Sequence, residues 1–261
     1  MCLLVFAWRS HPRYRLIMAG NRDEFHDRPA APCRWWSEPA GILAGRDLRA
    51  GGTWMGVSLS GRVAVVTNFR EPDRPTSGRR SRGELVVDAL TSHESVAAWA
   101  RRLDETADDY GGFNLVVGDG GGLHYLTNRG DRRFDLDPGV YGLSNRRLDT
   151  PWPKVVAARE RLRRVLDDGD VRPDRLFELL SDREPAPDDE VPATGVPRSW
   201  ERLLSSAFIV DDRYGTRAST VLVVRADGTA ELAERTFDRD GGLTAERAFA
   251  VPPPPRAEVS R

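Results

Sequence analysis

The chain opens with MCLLVFAW, residues 1–8, an apolar run in which a cysteine directly follows the initiator methionine. Cysteine is small enough for that methionine to be removed, which would leave a free α-amine on Cys2. Such an amine has an ordinary pKa of about 7.7–8.0, and a thiol one of about 8.5. Cys2 would then carry both a nucleophile and its base, as in N-terminal nucleophile hydrolases. The alternative is an inert thiol in a buried strand.

Length and composition indicate a soluble globular protein without a polyelectrolyte partner. The 261 residues carry a net charge of −1, and 39% of them are hydrophobic. The basic residues are almost all arginine and lie among acidic neighbours, which argues against nucleic-acid binding. The first apolar run is too short for an export signal, and no stretch is long enough to cross a bilayer, so a cytoplasmic location is expected. Cys2 and Cys33 are expected to be free thiols.

The hydrophobic pattern predicts groups of strands interrupted by helices. Predicted strands cover residues 2–8, 14–19, 51–58, 62–68, 113–118, 123–127, 139–144, 205–210, 219–224 and 229–233. Predicted helices cover residues 81–90, 92–103, 152–167 and 173–180, with irregular stretches at 28–39 and 182–199. This order favours an α+β fold, a four-layer αββα sandwich of two antiparallel sheets flanked by helices. We expect one domain over residues 1–235 and a proline-rich tail over 236–261.

A tetrapeptide after the first hairpin, Asn21-Arg22-Asp23-Glu24, resembles the signature of the NRDE family, also called the transport and Golgi organisation family. Similar blocks follow in the family's order at residues 45–47 (GRD), 51–56 (GGTWMG), 67–70 (TNFR), 81–83 (SRG), 143–145 (LSN), 150–155 (TPWPKV) and 214–217 (YGTR). The resemblance implies the N-terminal nucleophile (Ntn) hydrolase fold. Family members have been linked to haem mobilisation and to Golgi and lipid homeostasis, so the resemblance does not fix one reaction.

The residues of the tetrapeptide are candidates for activating Cys2. A cysteine hydrolase needs an anchor for the amine, which Asp23 would provide, and Arg22 would lower the pKa of the thiol by its charge. Adjacent residues of a strand point to opposite faces, so both face Cys2 only where the strand ends or bulges. The alternative for this pair is a salt-bridged strand end.

Three further residues complete the candidate catalytic set. Asn68 and Asn145 each end a predicted strand, where a side-chain amide is placed to donate to a developing oxyanion. Each would otherwise cap a turn. Arg217 precedes a buried strand and is a candidate to neutralise a substrate or to hold Asp23, with a structural ion pair as its alternative.

Three interpretations of the function are therefore possible. The first is a cysteine hydrolase of the Ntn type, which cleaves an amide or acyl bond of a small molecule and requires no cofactor. The second is a non-catalytic carrier of haem or a lipid-like ligand, for which His26 is the best-placed histidine although no Cys-x-x-Cys-His motif is present. A third reading retains the fold as an interaction module alone.

Overall fold

The computed structural model describes residues 2–72, 80–130 and 133–254 of the chain. Its strands are β1 (Cys2–His11), β2 (Tyr14–Phe25), β3 (Ala30–Trp35), β4 (Ile42–Asp47), β5 (Met55–Ser58), β6 (Val63–Asn68), β7 (Phe113–Gly118), β8 (Leu123–Thr127), β9 (Arg133–Asp135), β10 (Gly139–Leu143), β11 (Tyr214–Arg225), β12 (Ala230–Phe237) and β13 (Leu243–Val251). Its α-helices are α1 (Arg82–Thr91), α2 (Val96–Thr106), α3 (Pro153–Asp168), α4 (Pro173–Glu178) and α5 (Arg198–Leu203).

The strands form two antiparallel sheets. The first has the order β10-β1-β2-β11-β12-β13, so strands from both ends of the chain share it, and the second runs from β3 to β9 in sequence order. Leu3 and Val5 of β1 face a core formed with α3 and α4, whereas Leu4 and Phe6 face the core between the sheets. Helices α1 and α2 cover the outer face of the second sheet. The predicted α+β fold and its layers are confirmed.

The capping signal at the start of α1 is present in the structure. The Ser81 backbone N–H donates to the Glu84 carboxylate at 3.2 Å, which satisfies one of the donors that a helix start leaves unpaired. The helical pattern over 81–103 divides into two helices, because Ser95 caps α2 by accepting a hydrogen bond from the Ala98 N–H at 3.2 Å. Four residues thus separate the end of α1 from the start of α2.

Three segments differ from the sequence-based expectation. Residues 205–210, predicted as a strand, are irregular although residues 205–209 are buried, because residues can be covered without joining a ladder. Strands β3 and β4 fall where no strand was predicted, and β3 contains Pro32, which is tolerated because β3 is an edge strand. Strand β13 pairs with β12 inside the range expected to be a tail, and its mostly exposed residues lack an apolar alternation.

Within the part of the chain that is described, no helix is long and apolar enough to span a membrane.

Candidate active site

Cys2 begins β1 and lies directly opposite Arg22 of β2. Side chains alternate along a strand, and Leu4 faces the core between the sheets, so Cys2 and Arg22 share that face. Asp23 lies on the opposite face, toward the layer that holds α3. The alternation therefore separates the two charged residues of the tetrapeptide, with Arg22 beside the thiol and Asp23 behind the strand.

Three of the sequence blocks supply the surroundings of Arg22. The Arg22 guanidinium carbon lies 4.8 Å from the centre of the Trp54 ring, a cation–π contact, and Arg22 is 5% exposed. Its Nη2 is 3.3 Å from Asp47 Oδ2 and 3.9 Å from Glu24 Oε2. A Cβ at Gly45 would come within 2.2 Å of the Trp54 ring, so glycine is required for the ring to reach this position. The GRD and GGTW blocks thus hold Arg22 in place.

Asp23 accepts hydrogen bonds at its carboxylate and at its backbone oxygen, and a buried lysine lies near it. Its Oδ1 accepts a 2.7 Å hydrogen bond from the Thr216 hydroxyl, and its backbone oxygen accepts one of 2.9 Å from the Tyr214 hydroxyl. Burial raises the pKa of Asp23, and the charge of Lys154 lowers it. Lys154 is itself buried and donates to the Leu204 carbonyl at 2.8 Å. Burial lowers the pKa of Lys154 to about 8.

Cys2 as a residue is partly accessible, whereas burial of its thiol raises the pKa of that thiol. A hydrogen bond from the backbone N–H of Asp23 and the charge of Arg22 act in the opposite direction. The net direction is upward, so the thiol is mainly protonated at neutral pH and needs a base before it can act as a nucleophile.

A chain of hydrogen bonds links Cys2 to the two candidate asparagines. The Ser144 hydroxyl donates to the Cys2 carbonyl at 2.9 Å, and the Asn145 amide donates to the Asn68 carbonyl at 2.8 Å. The Thr67 hydroxyl donates to the Ser144 carbonyl at 2.7 Å. Asn145 is fully buried, so its amide is engaged in holding the Asn68 backbone.

Asn68 differs from Asn145 in how its side chain is used. It is half-buried at the end of β6, and across the residues that the structure describes its side-chain amide makes no hydrogen bond. Its amide is therefore available to a ligand, while Asn145 positions it. The sequence placed both residues in the same role, and the structure distinguishes them.

A β-bulge places Arg217 between the two residues that pair with the tetrapeptide. Thr216 pairs with Asp23 and Ala218 with Arg22, which leaves Arg217 without a partner in the ladder. Its hydrogen bonds, in the part of the chain covered by the structure, go to the backbone rather than to the Asp23 carboxylate. The acceptors are the carbonyls of Phe25, at 3.2 Å, and of His26, at 3.1 Å.

The histidine suggested for haem is engaged within the protein. The His26 Nε2 lies 2.9 Å from the Asp211 carbonyl oxygen. Haem binding stays a prediction without support of its own. No group of three or more His, Cys, Asp or Glu side chains that could hold a metal occurs among the described residues.

Beside Asn145, a cavity of about 400 Å³ opens between the start of α3 and the loop before α5. Its walls include Arg146, Thr150, Trp152, Glu190 and Thr194. Both hydroxyl and charged groups line it, so it suits a small polar molecule or the polar end of a larger one.

Several site residues were missed from the sequence although the signals were present. Thr216 and Tyr214 lie in the YGTR block and Asp47 in the GRD block, but only their contacts show which residues they hold. Lys154 is the single lysine in a chain rich in arginine. Its position inside the TPWPKV block is the feature of the sequence that could have identified Lys154 as a site residue.

Comparisons with known proteins show which family and which fold this chain resembles. The profile of the family described as "Transport and Golgi organisation 2" matches residues 1–239. A Transport and Golgi organization protein 2 homolog of Bos taurus is 37% identical over 91% of this chain and 93% of its own, and its Mus musculus counterpart is 33% identical over 92% and 95%. The conjugated bile acid hydrolase of Clostridium perfringens has a similar structure, with a TM-score of 0.51, 11% identity, and coverage of 95% of this chain and 92% of its own. That likeness shows the fold alone.

Proposed function

The chain belongs to the transport and Golgi organisation 2 family, and from this premise we propose that it is a cysteine hydrolase of the Ntn type. Its substrate would be a small molecule with an amide or acyl bond. One observation carries the proposal. A partly accessible cysteine at position 2 lies opposite a buried arginine, and hydrogen bonds through Ser144 and Asn145 connect it to the backbone carbonyl of Asn68, whose side-chain amide is available.

The first step of the proposed reaction uses the amine of Cys2. Removal of Met1 leaves this amine beside a thiol whose pKa is raised by burial, and the amine accepts the thiol proton. The thiolate attacks the substrate carbonyl carbon, a C–S bond forms, and the carbonyl oxygen becomes an oxyanion. The Asn68 amide donates to that oxyanion.

The second half of the reaction returns the enzyme to its starting state. The ammonium of Cys2 gives its proton to the leaving group as the amide or acyl bond breaks, which leaves a thioester on Cys2. The amine then takes a proton from water, whose oxygen attacks the thioester carbonyl carbon. The C–S bond breaks, the acid product leaves, and the ammonium returns its proton to the thiolate. Asp23, kept in place by Thr216 and balanced by Lys154, orients the ammonium in both halves.

The proposal is tested with a panel of fluorogenic acyl amides and the variants Cys2→Ala and Cys33→Ala. Hydrolysis that Cys2→Ala abolishes and Cys33→Ala leaves intact supports the proposal. Equal hydrolysis by the wild type and Cys2→Ala, measured on folded protein with unchanged Tm, would contradict it. The fluorogenic group reports turnover without knowledge of the natural substrate.

A further inference from the structure

A group of guanidinium side chains surrounds the Cys2 end of β2. We call it the arginine cluster; it consists of Arg22, Arg28, Arg82 and Arg217. Arg82 lies close enough to Cys2 and Glu24 for their charges to act on it, and Arg217 close enough to Arg22. The cluster thus adjoins the nucleophile.

The guanidinium of Arg22 is incompletely satisfied. Its Nη1 is buried and has no hydrogen-bond partner among the described residues. Its Nη2 shares Asp47 Oδ2 with the Nε of Arg28, at 3.3 Å and 2.5 Å. A buried charged donor without a partner is costly, so its retention in this position calls for a group that is supplied from outside the chain.

Two other members of the cluster bind only backbone oxygens. Arg82 donates to the Gly112 carbonyl at 3.3 Å, and Arg217 donates to two carbonyls at the end of β2. Within the described ranges, neither forms an ion pair with a carboxylate. Glu24 and Asp47 form their ion pairs with Arg22 and Arg28, so Arg82 and Arg217 are the two members of the cluster whose hydrogen bonds go to neutral oxygens.

Ion pairs elsewhere in the chain join an arginine directly to a carboxylate, as where Arg70 meets Glu201 at 2.6 Å and Arg129 meets Glu71 at 2.5 Å. Arg82 and Arg217 differ from these arginines and lie close to the nucleophile. An arginine fork matches the two oxygens of a carboxylate or phosphate, and such bonds are stronger than those to neutral acceptors.

We propose that the arginine cluster binds an anionic oxygen group, carboxylate or phosphate, of the substrate that Cys2 attacks. The inference rests on the proposed function, since it places this group next to the scissile bond. The site is specific for charge, so an uncharged amide of the same shape would bind more weakly.

The test compares two reagents that differ only in charge. Iodoacetate and iodoacetamide alkylate a thiolate by the same displacement of iodide, so their rate ratio at Cys2 reports attraction of a carboxylate without any hydrolysis. The ratio is measured by peptide mass spectrometry on the full chain, folded and unfolded in urea, and for Arg82→Gln, Arg82→Lys and Arg217→Gln. Arg164→Gln, on the exposed face of α3, is the matched control for loss of one positive charge.

Folding should raise the iodoacetate to iodoacetamide ratio at Cys2 by roughly tenfold or more, as expected for charge-assisted contacts. Arg82→Gln and Arg217→Gln should each reduce the ratio several-fold, whereas Arg82→Lys and Arg164→Gln retain it. A ratio equal to that of the unfolded chain, or one reduced equally by Arg164→Gln, would overturn the proposal.

A second measurement separates this inference from the hydrolase itself. Butyrate or inorganic phosphate should raise the Tm of the folded chain more than butyramide or chloride does. Arg82→Gln should abolish this difference. Whichever of butyrate and phosphate raises the Tm shows whether the cluster binds a carboxylate or a phosphate. If Cys2 resists both alkylating reagents, the hydrolase proposal fails while the anion site is still judged by this shift. No difference between butyrate, phosphate and butyramide would count against the site.

Discussion

Two cysteines face the same space between the sheets, and their surroundings give them opposite chemistry. Cys33 of β3 is fully buried, its backbone N–H donates to the Glu234 carboxylate at 2.6 Å, and burial with that carboxylate raises the pKa of its thiol far above the ordinary value. Cys2 is partly accessible and faces Arg22. The two cysteines carry the same thiol, so the charge of the neighbouring residues and the exposure of the cysteine determine which of them can react.

The largest expected effect comes from removing the reactive thiol. Cys2→Ala should lower kcat/KM by roughly a thousandfold or more, as expected when a covalent nucleophile is lost. Cys33→Ala should leave kcat/KM within a few-fold and lower stability instead, because it opens a cavity in the core. Steady-state kinetics together with thermal unfolding distinguish the two. Comparable losses of kcat/KM in both variants would break the comparison.

The second-largest loss of activity is expected on substitution of Asn68. Asn68→Ala should reduce kcat by about 10²–10³-fold with little change in KM, because the donor acts on the oxyanion of the transition state. Asn145→Ala should reduce both activity and stability, since the fully buried Asn145 supports the Asn68 carbonyl. Kinetics and chemical denaturation of both variants are compared. An Asn68→Ala enzyme with wild-type kcat would remove Asn68 from the mechanism.

Glu234 tests the environment of Cys33. Burial raises the pKa of Glu234 to about 7 from 4.5, against the charges of Arg22 and Arg247. Between these pH values the folded chain keeps a proton that the unfolded chain has lost, so the free energy of unfolding falls as pH rises to about 7 and then levels off. The decrease is at most about 3 kcal/mol.

The variant Glu234→Gln should flatten this pH dependence, measured by urea denaturation between about pH 4.5 and pH 8. Glu231→Gln, on the same strand but exposed to solvent, should retain it. A slope that survives in Glu234→Gln would assign the titration to another group.

Lys154 should give the smallest of these effects. Lys154→Met removes the cation that lowers the pKa of Asp23, so the acid limb of the kcat/KM profile should move to higher pH, with a loss of about tenfold at neutral pH. A purely structural role would lower Tm without moving that limb. Arg164→Gln, on the exposed face of the same helix, should change neither quantity.

The sequence predicted the central strands of the sheets better than the strands at the sheet edges. Strands of the inner sheet region, such as β1 and β6, carry continuous apolar runs because both of their faces are covered. Edge strands lack that signal: β3 contains a proline and β13 is largely exposed. Residues 207–209 show the converse, since their apolar side chains are buried although the segment pairs with no strand.

For the site, the sequence identified residues but not their arrangement. The tetrapeptide and the asparagines lie in blocks that can be read locally, whereas the pairing of Cys2 with Arg22 depends on the register between two strands. The contacts of Asp23 with Tyr214 and Thr216 join residues about 190 positions apart. No local pattern encodes such contacts, so the separate roles of Asn68 and Asn145 required the structure.

The most direct test of the central claim is the intact mass of the purified protein before and after exposure to limiting iodoacetamide, which alkylates thiolates irreversibly, with the modified peptide sequenced. The account predicts a chain that lacks Met1 and carries one carbamidomethyl group on Cys2, with Cys33 unmodified. A chain that retains Met1, or one alkylated equally at both cysteines, would contradict it.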